Sequence, residues 1–574
     1  MTTRSLDLGE LKPILEKYAP DGRSQLLPVL WAAQNIYGYL SEPVVVAIGN
    51  ALRVPLADIY GVIEFYTMFY KEPVGNTIIR ICVSPICAQK GGERILDMVC
   101  DHFDVQPNGT TSDGKYTVEV VECLGLCDTA PSALVGDVPI SVDALADTPP
   151  QGWVLSPKAT PLGFLEGEPR WLLGSCGHVT PASVQEYEAC GGFLGLKKTL
   201  QNPPNVVNEE ITQSGLLGRG GAAFPTGLKW KFASQVEGQP KYLVCNADES
   251  EPGTFKDRVL LEGYPLSLIE GMLIAAYAVG CSQGYLYIRG EYMRAQAIVQ
   301  AALENARQAG YLGRNILGKG FDFDIELRSG AGAYVCGEET ALFESIEGKR
   351  GFPRLKPPYP TDSGLFGKPT DIDNVETLCA AAWIMANGAD AFRSVGTEKS
   401  AGTKIFCVSG DVLAPGVYEM PLGITLGELI AKAGGVQGEL GAVLIGGAAG
   451  TFAGPDDLDL SLSFEGLADN KYFLGSGVIN VINTERDMRA ILYSLVHFFA
   501  HESCGKCFPC QLGTQRQLEI MEKNIYGKAT QADLAALGDV GFAMAQTSIC
   551  GVGQMASTAI LSALEKWPDV FYSS

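Results

Sequence analysis

Gly218-Arg219-Gly220-Gly221-Ala222-Ala223-Phe224-Pro225-Thr226-Gly227-Leu228-Lys229-Trp230 is the stretch on which the reading of the chain turns. Three glycines in four positions let backbone N–H groups approach a ligand with no Cβ in the way. Arg219 and Lys229 bracket the loop with positive charge, and Phe224 and Trp230 offer flat apolar faces. Such a loop suits a phosphate attached to a planar ring, because backbone donors cradle the anion while aromatic side chains lie near the ring. A tight surface turn leading into a helix is the plainer alternative. Cysteine groups lie on both sides of the loop, as if a ligand in the middle exchanged something with metal at either end.

The chain has 574 residues, which suggests about four domains. Its hydrophobic content of 46% is ample for buried cores. Glycine is abundant, at 68 residues, and argues for many turns and close backbone approaches. A net charge of −22 disfavours nucleic acid and anionic membranes as partners. An anionic ligand then has to be held by locally placed cations. Met1–Glu10 is polar and no apolar segment of signal-peptide type follows it. The apolar run near Leu266–Gly280 is interrupted by Glu270 and Gly271 and is too short to span a bilayer. These features predict a cytoplasmic protein without direct membrane insertion, with a peripheral place in a larger membrane-bound assembly left open.

The pattern divides the chain into six parts. Residues 1–75 read as a helical bundle, with apolar positions recurring at three- and four-residue spacing in Leu6–Tyr18, Leu26–Tyr39, Glu42–Leu52 and Pro55–Phe69. Residues 76–147 begin with the β-branched run Thr77–Val83, followed by a helix over Gly91–His102 and strands over Tyr116–Cys123 and Ser132–Val135; that order fits a small thioredoxin-like domain. Residues 148–212 read as a connector with few periodic segments, apart from a helix over Pro181–Gly191. In residues 213–401, strands at Lys241–Cys245, Gly284–Arg289 and Phe321–Arg328 alternate with helices at Pro265–Val279, Met293–Gln308 and Glu338–Glu347, an α/β layer structure. No G-x-G-x-x-G opens a helix there, so a standard dinucleotide fingerprint is not expected. Residues 402–484 read as a compact β-rich module with one helix at Thr425–Ala433, and residues 485–574 as a second helical bundle. The fold class is therefore α/β and multidomain.

Sixteen cysteines are many for a cytosolic chain, where stabilising disulfides are not expected. Eight fall in two groups, which reads as metal ligation. Cys504-x-x-Cys507-x-x-Cys510, with Cys550 on a distant segment, can wrap a [4Fe–4S] cluster: three thiolates hold three corners and a fourth closes it. Zinc is the alternative, although zinc sites more often pair two C-x-x-C knuckles. Cys82-x4-Cys87 and Cys123-x3-Cys127 can each hold one iron of a [2Fe–2S] centre, with zinc or a redox disulfide as alternatives. The other eight, Cys100, Cys176, Cys190, Cys245, Cys281, Cys336, Cys379 and Cys407, read as small buried hydrophobes.

The central part carries three more groups. Asn246–Thr254 has three acids and an amide at a strand end, where α/β ligand sites gather, although a solvated turn is the usual fate of such a run. Gly330–Thr340 is rich in small residues, which serve either ligand approach or tight packing. Pro353–Pro360 is a stiff loop with a cation and an aromatic, either a rigid surface loop or a ligand contact. Only four histidines occur and none sits in these loops; no Ser–His–Asp or H-E-x-x-H arrangement appears, which argues against a hydrolase.

With Gly218–Trp230, Asn246–Asp257, Gly330–Thr340, Arg354–Pro360, Asp373–Thr377, Glu502–Cys510 and Cys550 in this order, the chain resembles the NADH-oxidising diaphorase subunits of respiratory complex I, NAD-linked [NiFe] hydrogenases and NAD-dependent formate dehydrogenases. A smaller [2Fe–2S] partner is, by that resemblance, fused at the N-terminus. The resemblance implies FMN in a Rossmann-like domain, met by Gly218, Arg219, Gly220, Gly221, Lys229, Asn246, Asp248, Tyr334, Gly337, Glu338 and Asn374. It implies NAD(H) at Phe224, Phe232, Glu249, Glu251, Glu339, Lys356 and Tyr359, with Glu251 tuning the charge near the nicotinamide. It also implies a ubiquitin-like β-grasp module after residue 402, a [4Fe–4S] cluster on the last helices and a [2Fe–2S] side acceptor. The implied partners are an iron–sulfur relay subunit and a catalytic subunit. Ala223 stands where the family usually has Gly, Asp373 replaces the first of two Asn, and Tyr359 stands where Phe is common. The fused N-terminus and Phe255-Lys256-Asp257-Arg258 lean towards a soluble hydrogenase or formate dehydrogenase; complex I and electron bifurcation with ferredoxin are the alternatives.

Overall fold

The strand Tyr242–Ala247 carries Leu243, Val244 and Cys245 in succession, all fully buried. Apolar side chains on both faces are what a parallel strand covered on both sides requires. In the computed structural model, which describes residues 7–141 and 164–572, this strand lies inside a four-stranded parallel sheet. The order is Asp324–Ser329, Gln283–Ile288, Tyr242–Ala247, Thr370–Asn374. The chain steps outward from Tyr242–Ala247 through two strands and then returns to its other side. Strand order therefore reverses between Tyr242–Ala247 and Thr370–Asn374, where a parallel sheet opens its ligand crevice. Asn246 and Asn374 are register partners at the carboxyl ends of these two strands.

Each face of the sheet is covered by helices. On one face lie Pro265–Val279 and Val375–Asn387, almost wholly buried. A Cβ on Gly271 would meet the Leu378 carbonyl oxygen at 2.1 Å, so glycine lets these two helices touch backbone to backbone. On the other face Val244, Tyr285 and Tyr287 join the apolar core of the N-terminal helices Leu26–Tyr37, Glu42–Leu52 and Leu56–Phe65. That bundle docks on Gly330–Gly332: Trp31 Nε1 donates to the Gly330 carbonyl (3.1 Å), Met68 N to Ala331 (3.0 Å) and Thr67 N to Gly332 (3.1 Å). A Cβ on Gly332 would lie 2.3 Å from Thr67 Oγ1. The small residues at Gly330–Gly332 thus serve packing between units.

The thioredoxin-like unit has the strand order Tyr116–Val121, Thr77–Cys82, Ser132–Val135, Val138–Ser141, with the first pair parallel and the rest antiparallel. The helix Gly92–Phe103 packs on it. The module that follows the parallel sheet has six strands, in the order Thr451–Ala453, Leu440–Ile445, Val478–Asn483, Thr403–Gly410, Gly416–Pro421, Phe164–Gly167. A capping box of Thr425 and Glu428 starts its helix Leu426–Lys432. The C-terminal bundle comprises Met488–Glu502, Phe508–Ile525, Gln531–Thr547 and Thr558–Lys566. Among the described residues no single helix is long and apolar enough to cross a membrane; Pro265–Val279, the apolar run of the sequence, is a core helix.

Three expectations change. The stretch after residue 163 is structured: Phe164–Gly167 adds an edge strand to the six-stranded sheet, and Val184–Ala189, Leu194–Thr199 and Pro204–Ser214 are helices. Residues 148–163 of the expected connector, like 142–147 of the thioredoxin-like part, lie outside the described residues. Cys190 is exposed, unlike the other seven cysteines outside the two groups. Thr370–Asn374 is a strand that alternation did not mark, because Asp371 and Asp373 are buried polar residues.

The thioredoxin-like unit is held to the central sheet by a buried ion pair. Arg258 Nη2 lies 2.9 Å from both Asp128 oxygens and Nε donates to the Gly125 carbonyl (2.9 Å). Both side chains are 3% exposed. Breaking such a pair leaves a buried charge uncompensated, at a cost of about 3–5 kcal/mol. Asp128→Ala is therefore expected to open the joint by that amount, read as protease cleavage of the N-terminal unit at lower denaturant. Adding Arg258→Met should recover part of it; equal resistance of Asp128→Ala and wild type would show that the pair holds nothing.

Candidate functional site

The crevice lies at the carboxyl ends of the parallel strands. The loop Gly218–Pro225 folds back on itself, with Gly218 N donating to the Phe224 carbonyl (2.9 Å), before the helix Thr226–Gln235 begins. A Cβ on Gly220 would stand 3.0 Å from Asn374 Cβ, so the loop lies over the start of the helix Val375–Asn387. Gly221 has φ +125° and Ala223 φ +53°. Alanine there carries a left-handed strain of about 1 kcal/mol that the glycine usual in the family would not. Glycine backbone, the N-terminus of a thirteen-residue helix and Lys229 thus lie on one side of the crevice, an arrangement with the chemistry to take an anion. Phe224, Phe232 and Tyr359 leave their rings 46%, 48% and 56% exposed.

Several side chains do not point where the sequence suggested. Arg219 is 1% exposed; Nη2 donates to the Ala401 carbonyl (2.8 Å), and its guanidinium lies 6.0 Å from the Phe392 and Phe464 rings. Burial pushes it down to about 10. It is a packing cation, and only its backbone belongs to the loop. Trp230 is fully buried, its indole N–H donating to Asp373 Oδ2 (2.6 Å). Lys229 Nζ donates to the Ile372 carbonyl (2.5 Å), pairs with Asp373 Oδ1 and lies 4.0 Å from Asp371. Glu249 turns inward, accepting from Asp257 N (2.8 Å), Arg258 N (2.9 Å) and the Tyr292 hydroxyl (3.0 Å). It caps the helix Lys256–Gly263 and has no free carboxylate for a nucleotide. Glu338 likewise caps Glu339–Ile346 through Thr340 N and Ala341 N, both at 2.9 Å. Lys356 Nζ bridges Glu338 (2.9 Å) and Glu339 (2.5 Å).

Three groups do face the crevice. Asn246 Nδ2 donates to the Gly337 carbonyl (2.8 Å). Asp248 Oδ2 is buried with no hydrogen-bond partner, and a Cβ on Gly337 would be 3.7 Å from it. An orphaned acceptor beside a glycine fits a ligand hydroxyl. Glu251 accepts from Ala449 N (3.3 Å) and Ser476 Oγ (3.5 Å) of the six-stranded module. Burial pushes its carboxyl up to about 7.

Beneath the crevice lies a charge network that motif reading missed. Lys256 Nζ contacts Asp257 (2.7 Å), Glu376 (3.1 Å) and Asn374 Oδ1 (3.2 Å), and Lys404 Nζ contacts Glu376 (2.6 Å). Lys404 comes from the strand Thr403–Gly410 and is driven by burial down to about 8. The strand reads as an apolar run around one lysine, which by itself gives no sign of a partner.

The two cysteine groups each come together. Cys504, Cys507, Cys510 and Cys550 line one pocket with Pro353, Ser503 and Val552. Burial raises Cys510 to about 11 and Cys550 to about 12, while Val552 and Gly553 backbone N–H groups face the Cys550 sulfur. Cys82, Cys87, Cys123 and Cys127 are all buried; the last two sulfurs are 3.5 Å apart. Cys127 beside it, with Arg289 close by, draws Cys123 down to about 7. Gly125 N donates to Cys123 Sγ and Gly253 N to Cys127 Sγ, both at 3.3 Å. Gly253 belongs to the central unit, two residues past Glu251. Among the described residues no three His, Cys, Asp or Glu side chains are arranged for a single metal ion. Tyr334 meets Phe498 edge to face with centroids 5.0 Å apart, its backbone N donating to Glu502 (3.0 Å), between the crevice and the C-terminal cysteines.

Four family profiles match in chain order. They are the thioredoxin-like [2Fe-2S] ferredoxin over residues 11–146, the Nuo51 FMN-binding domain over 211–383, the SLBB domain over 405–445, and the NADH-ubiquinone oxidoreductase-F iron-sulfur binding region over 490–574. The alpha subunit of the NAD-reducing hydrogenase HoxS of Cupriavidus necator is 38% identical over 97% of this chain and 93% of its own length. The chain belongs to this family. A subunit of the NADH-quinone oxidoreductase of Aquifex aeolicus is 46% identical over 67% of this chain and 90% of its own. A crystal structure of an NAD+-reducing [NiFe]-hydrogenase in the air-oxidized state shares the fold with a TM-score of 0.83 and 34% identity, covering 97% of this chain and 94% of its own. Both cysteine groups fall inside iron–sulfur families, so zinc is set aside. The protein is an oxidoreductase subunit with FMN, [2Fe–2S] and [4Fe–4S] domains.

Asp373 competes for the cation of the cradle. Asp373→Asn is expected to tighten FMN binding to the flavin-free protein about tenfold, by releasing Lys229 from one carboxylate and removing a repulsion. Riboflavin, which lacks the phosphate, should gain nothing. Flavin-fluorescence titrations with both ligands decide it; an equal gain for both would place Asp373 away from the phosphate.

Proposed function

We propose that this chain is the flavin-bearing diaphorase subunit of a cytoplasmic NAD-linked hydrogenase. Bound in this crevice, FMN would supply hydride exchange with NAD(H) and one-electron exchange with the iron–sulfur clusters. One observation carries the reading. The short turn Glu251–Thr254 reaches the crevice at Glu251, the six-stranded module at Ala449, and the N-terminal cysteines through Gly253 N. One segment thus joins the hydride site to a cluster site, while Tyr334 stands between the crevice and the other.

The chain's own residues bind and orient. Backbone N–H groups of Gly220 and Gly221, the helix start at Asn374 and Lys229 would hold the flavin phosphate, while Gly218, whose N–H is spent on the Phe224 carbonyl, closes the loop that presents them. Asn246, Asp248 and Gly337 would meet the rest of FMN. The exposed rings of Phe224, Phe232 and Tyr359, with Lys356, would receive NAD(H). Arg219, Glu249 and Glu338 support these groups from behind. Glu251 sets the charge of the pocket, and no side chain has to act as acid or base.

The hydrogenase reading is favoured over complex I because the HoxS alpha subunit matches 97% of the chain, whereas complex I-type relatives match about two thirds. A formate dehydrogenase remains the second reading, since the flavin module would be the same. Nickel in the purified native complex would establish the first, and molybdenum or tungsten the second. The isolated chain should carry FMN and about six irons; a colourless, zinc-loaded protein would overturn the proposal.

Glu251 makes the site pH-dependent. Its carboxyl, raised to about 7 by burial, is neutral below that pH and anionic above it. NADH is an anion, so its KM should rise several-fold between pH 6 and 8 in a ferricyanide assay. Glu251→Gln should flatten the profile near its low-pH value. An unchanged rise in the variant would assign the titration to another group.

A further inference from the structure

Asp371, on the strand Thr370–Asn374, carries a carboxyl group that no donor satisfies. Its side chain is fully buried, and neither oxygen meets an N–H or O–H group. Lys229 Nζ stands 4.0 Å away and is spent on Asp373 and the Ile372 carbonyl. Alternate residues of a strand face the same side, so Asp371 and Asp373 turn together towards Lys229 and Trp230, and the Asp373 carboxyl is the hydrogen-bonding neighbour of Asp371. Asp373 already accepts from the Trp230 indole and from Lys229. Two touching carboxylates at this depth, with one lysine beside them, do not both stay ionised. Asp373, with two donors, keeps the charge; Asp371, with none, takes a proton and donates it to Asp373. Burial, and then the charge of Asp373, push the Asp371 carboxyl well above the ordinary carboxylate range.

Other titratable groups around the strand are engaged, neutral or exposed. Lys241 donates to the Ala233 and Ser234 carbonyls (2.9 and 2.8 Å), Glu339 pairs with Lys356, and Glu376 pairs with Lys256 and Lys404. Cys245, the register partner of Asp373, and Cys281 are thiols that burial pushes up and keeps neutral. Lys231 and Asp362, on helices beside the strand, are exposed.

We propose that Asp371 is a positioning residue of the flavin site: the proton it shares with Asp373 leaves Lys229 able to face the FMN phosphate, and the loop releases FMN when that proton is lost to water. The inference rests on the flavin placement proposed above. With the proton, Lys229, Asp371 and Asp373 sum to zero charge. Without it they carry one negative charge, next to the helix start at Asn374 where the phosphate would lie. Lys229 would then be held by two carboxylates, and the phosphate would meet repulsion where it needs attraction. Proton and phosphate therefore bind together, and FMN binding weakens by up to about tenfold per pH unit once the pair ionises.

The test takes the full chain with its clusters, stripped of flavin, and titrates it with FMN and with riboflavin by flavin fluorescence. The range runs from about pH 7 to 9, above the second ionisation of a phosphate monoester near pH 6. Wild-type FMN affinity should fall at least about tenfold across it, and riboflavin affinity should stay level. Asp371→Asn gives Asp373 an N–H donor with no proton to lose; its FMN affinity should match wild type at pH 7 within about twofold and remain level to pH 9. Asp373→Asn supplies the donor from the other side and should level the profile too. FMN binding about tenfold tighter than wild type in Asp371→Asn at pH 7 would reveal an ionised Asp371 and overturn the proposal. The same fall in wild type and both variants would also overturn it, as would a level wild-type profile. Riboflavin affinity falling with that of FMN, in wild type alone, would instead overturn the flavin placement, because the pair would titrate away from the phosphate.

Discussion

Glu376 is the charge on which the crevice stands. It is fully buried, and two lysines meet its carboxylate: Lys256 from the central unit and Lys404 from the six-stranded module. Ile405 N adds a third donor at 2.8 Å. A lone carboxylate at that depth would be strongly disfavoured, and so would either lysine. Together with Asp257 they form two cations and two anions, so the network is neutral only when both units are in place. Asn374 caps its helix within the same network, through Glu376 N, Lys256 Nζ and Asp257. The helix N-terminus that faces the glycine loop is thereby fixed relative to the neighbouring module, beside the shared apolar packing of Ile405, Cys407 and Val417 on the central core.

The segment Asn246–Arg258 extends the same logic along the chain. Its successive side chains and backbone groups go to different units: Asn246 to Gly337, Glu249 to its own helix, Glu251 to Ala449, Gly253 to Cys127, Lys256 to Glu376 and Arg258 to Asp128. Gly253 has to be glycine twice over, with φ +94° and a Cβ that would meet Val478 at 2.5 Å. A displacement of this strand-to-helix turn would be felt at the crevice, at the N-terminal cysteines and at the module interface together.

Sequence spacing revealed what local rules control. The cysteine groups, the glycine loop and the helices of both bundles depend on near neighbours, and they stand where periodicity and motif spacing set them. Side-chain direction was not legible. Arg219 sits inside a glycine-rich loop, and only the fold tells that its guanidinium runs back to Ala401. Glu249 reads like the acids around it, yet one is a helix cap and another faces the module. The strand Thr370–Asn374 was hidden because its buried aspartates imitate a loop, and the edge strand Phe164–Gly167 because its pairing partner, Gly416–Pro421, lies some 250 residues further on. The Lys256–Glu376–Lys404 network could not be read either: Lys256 and Glu376 stand in separate motifs more than a hundred residues apart, and Lys404 stands in none.

The surroundings of the two cysteine groups give them different places in electron traffic. Cys82, Cys87, Cys123 and Cys127 are at most 2% exposed, enclosed between the thioredoxin-like unit and the turn at Gly253. Cys504, Cys507 and Cys550 are only partly buried, at a surface that carries Lys506 and Phe508. Electron transfer to another protein needs close approach, which the second group permits and the first does not. The sealed group also has Arg289 close by, a fixed positive charge that favours the reduced, more negative state. A sealed site that holds an electron beside the hydride crevice, and an open one that passes it on, is the arrangement expected when two electrons arrive together and leave one at a time.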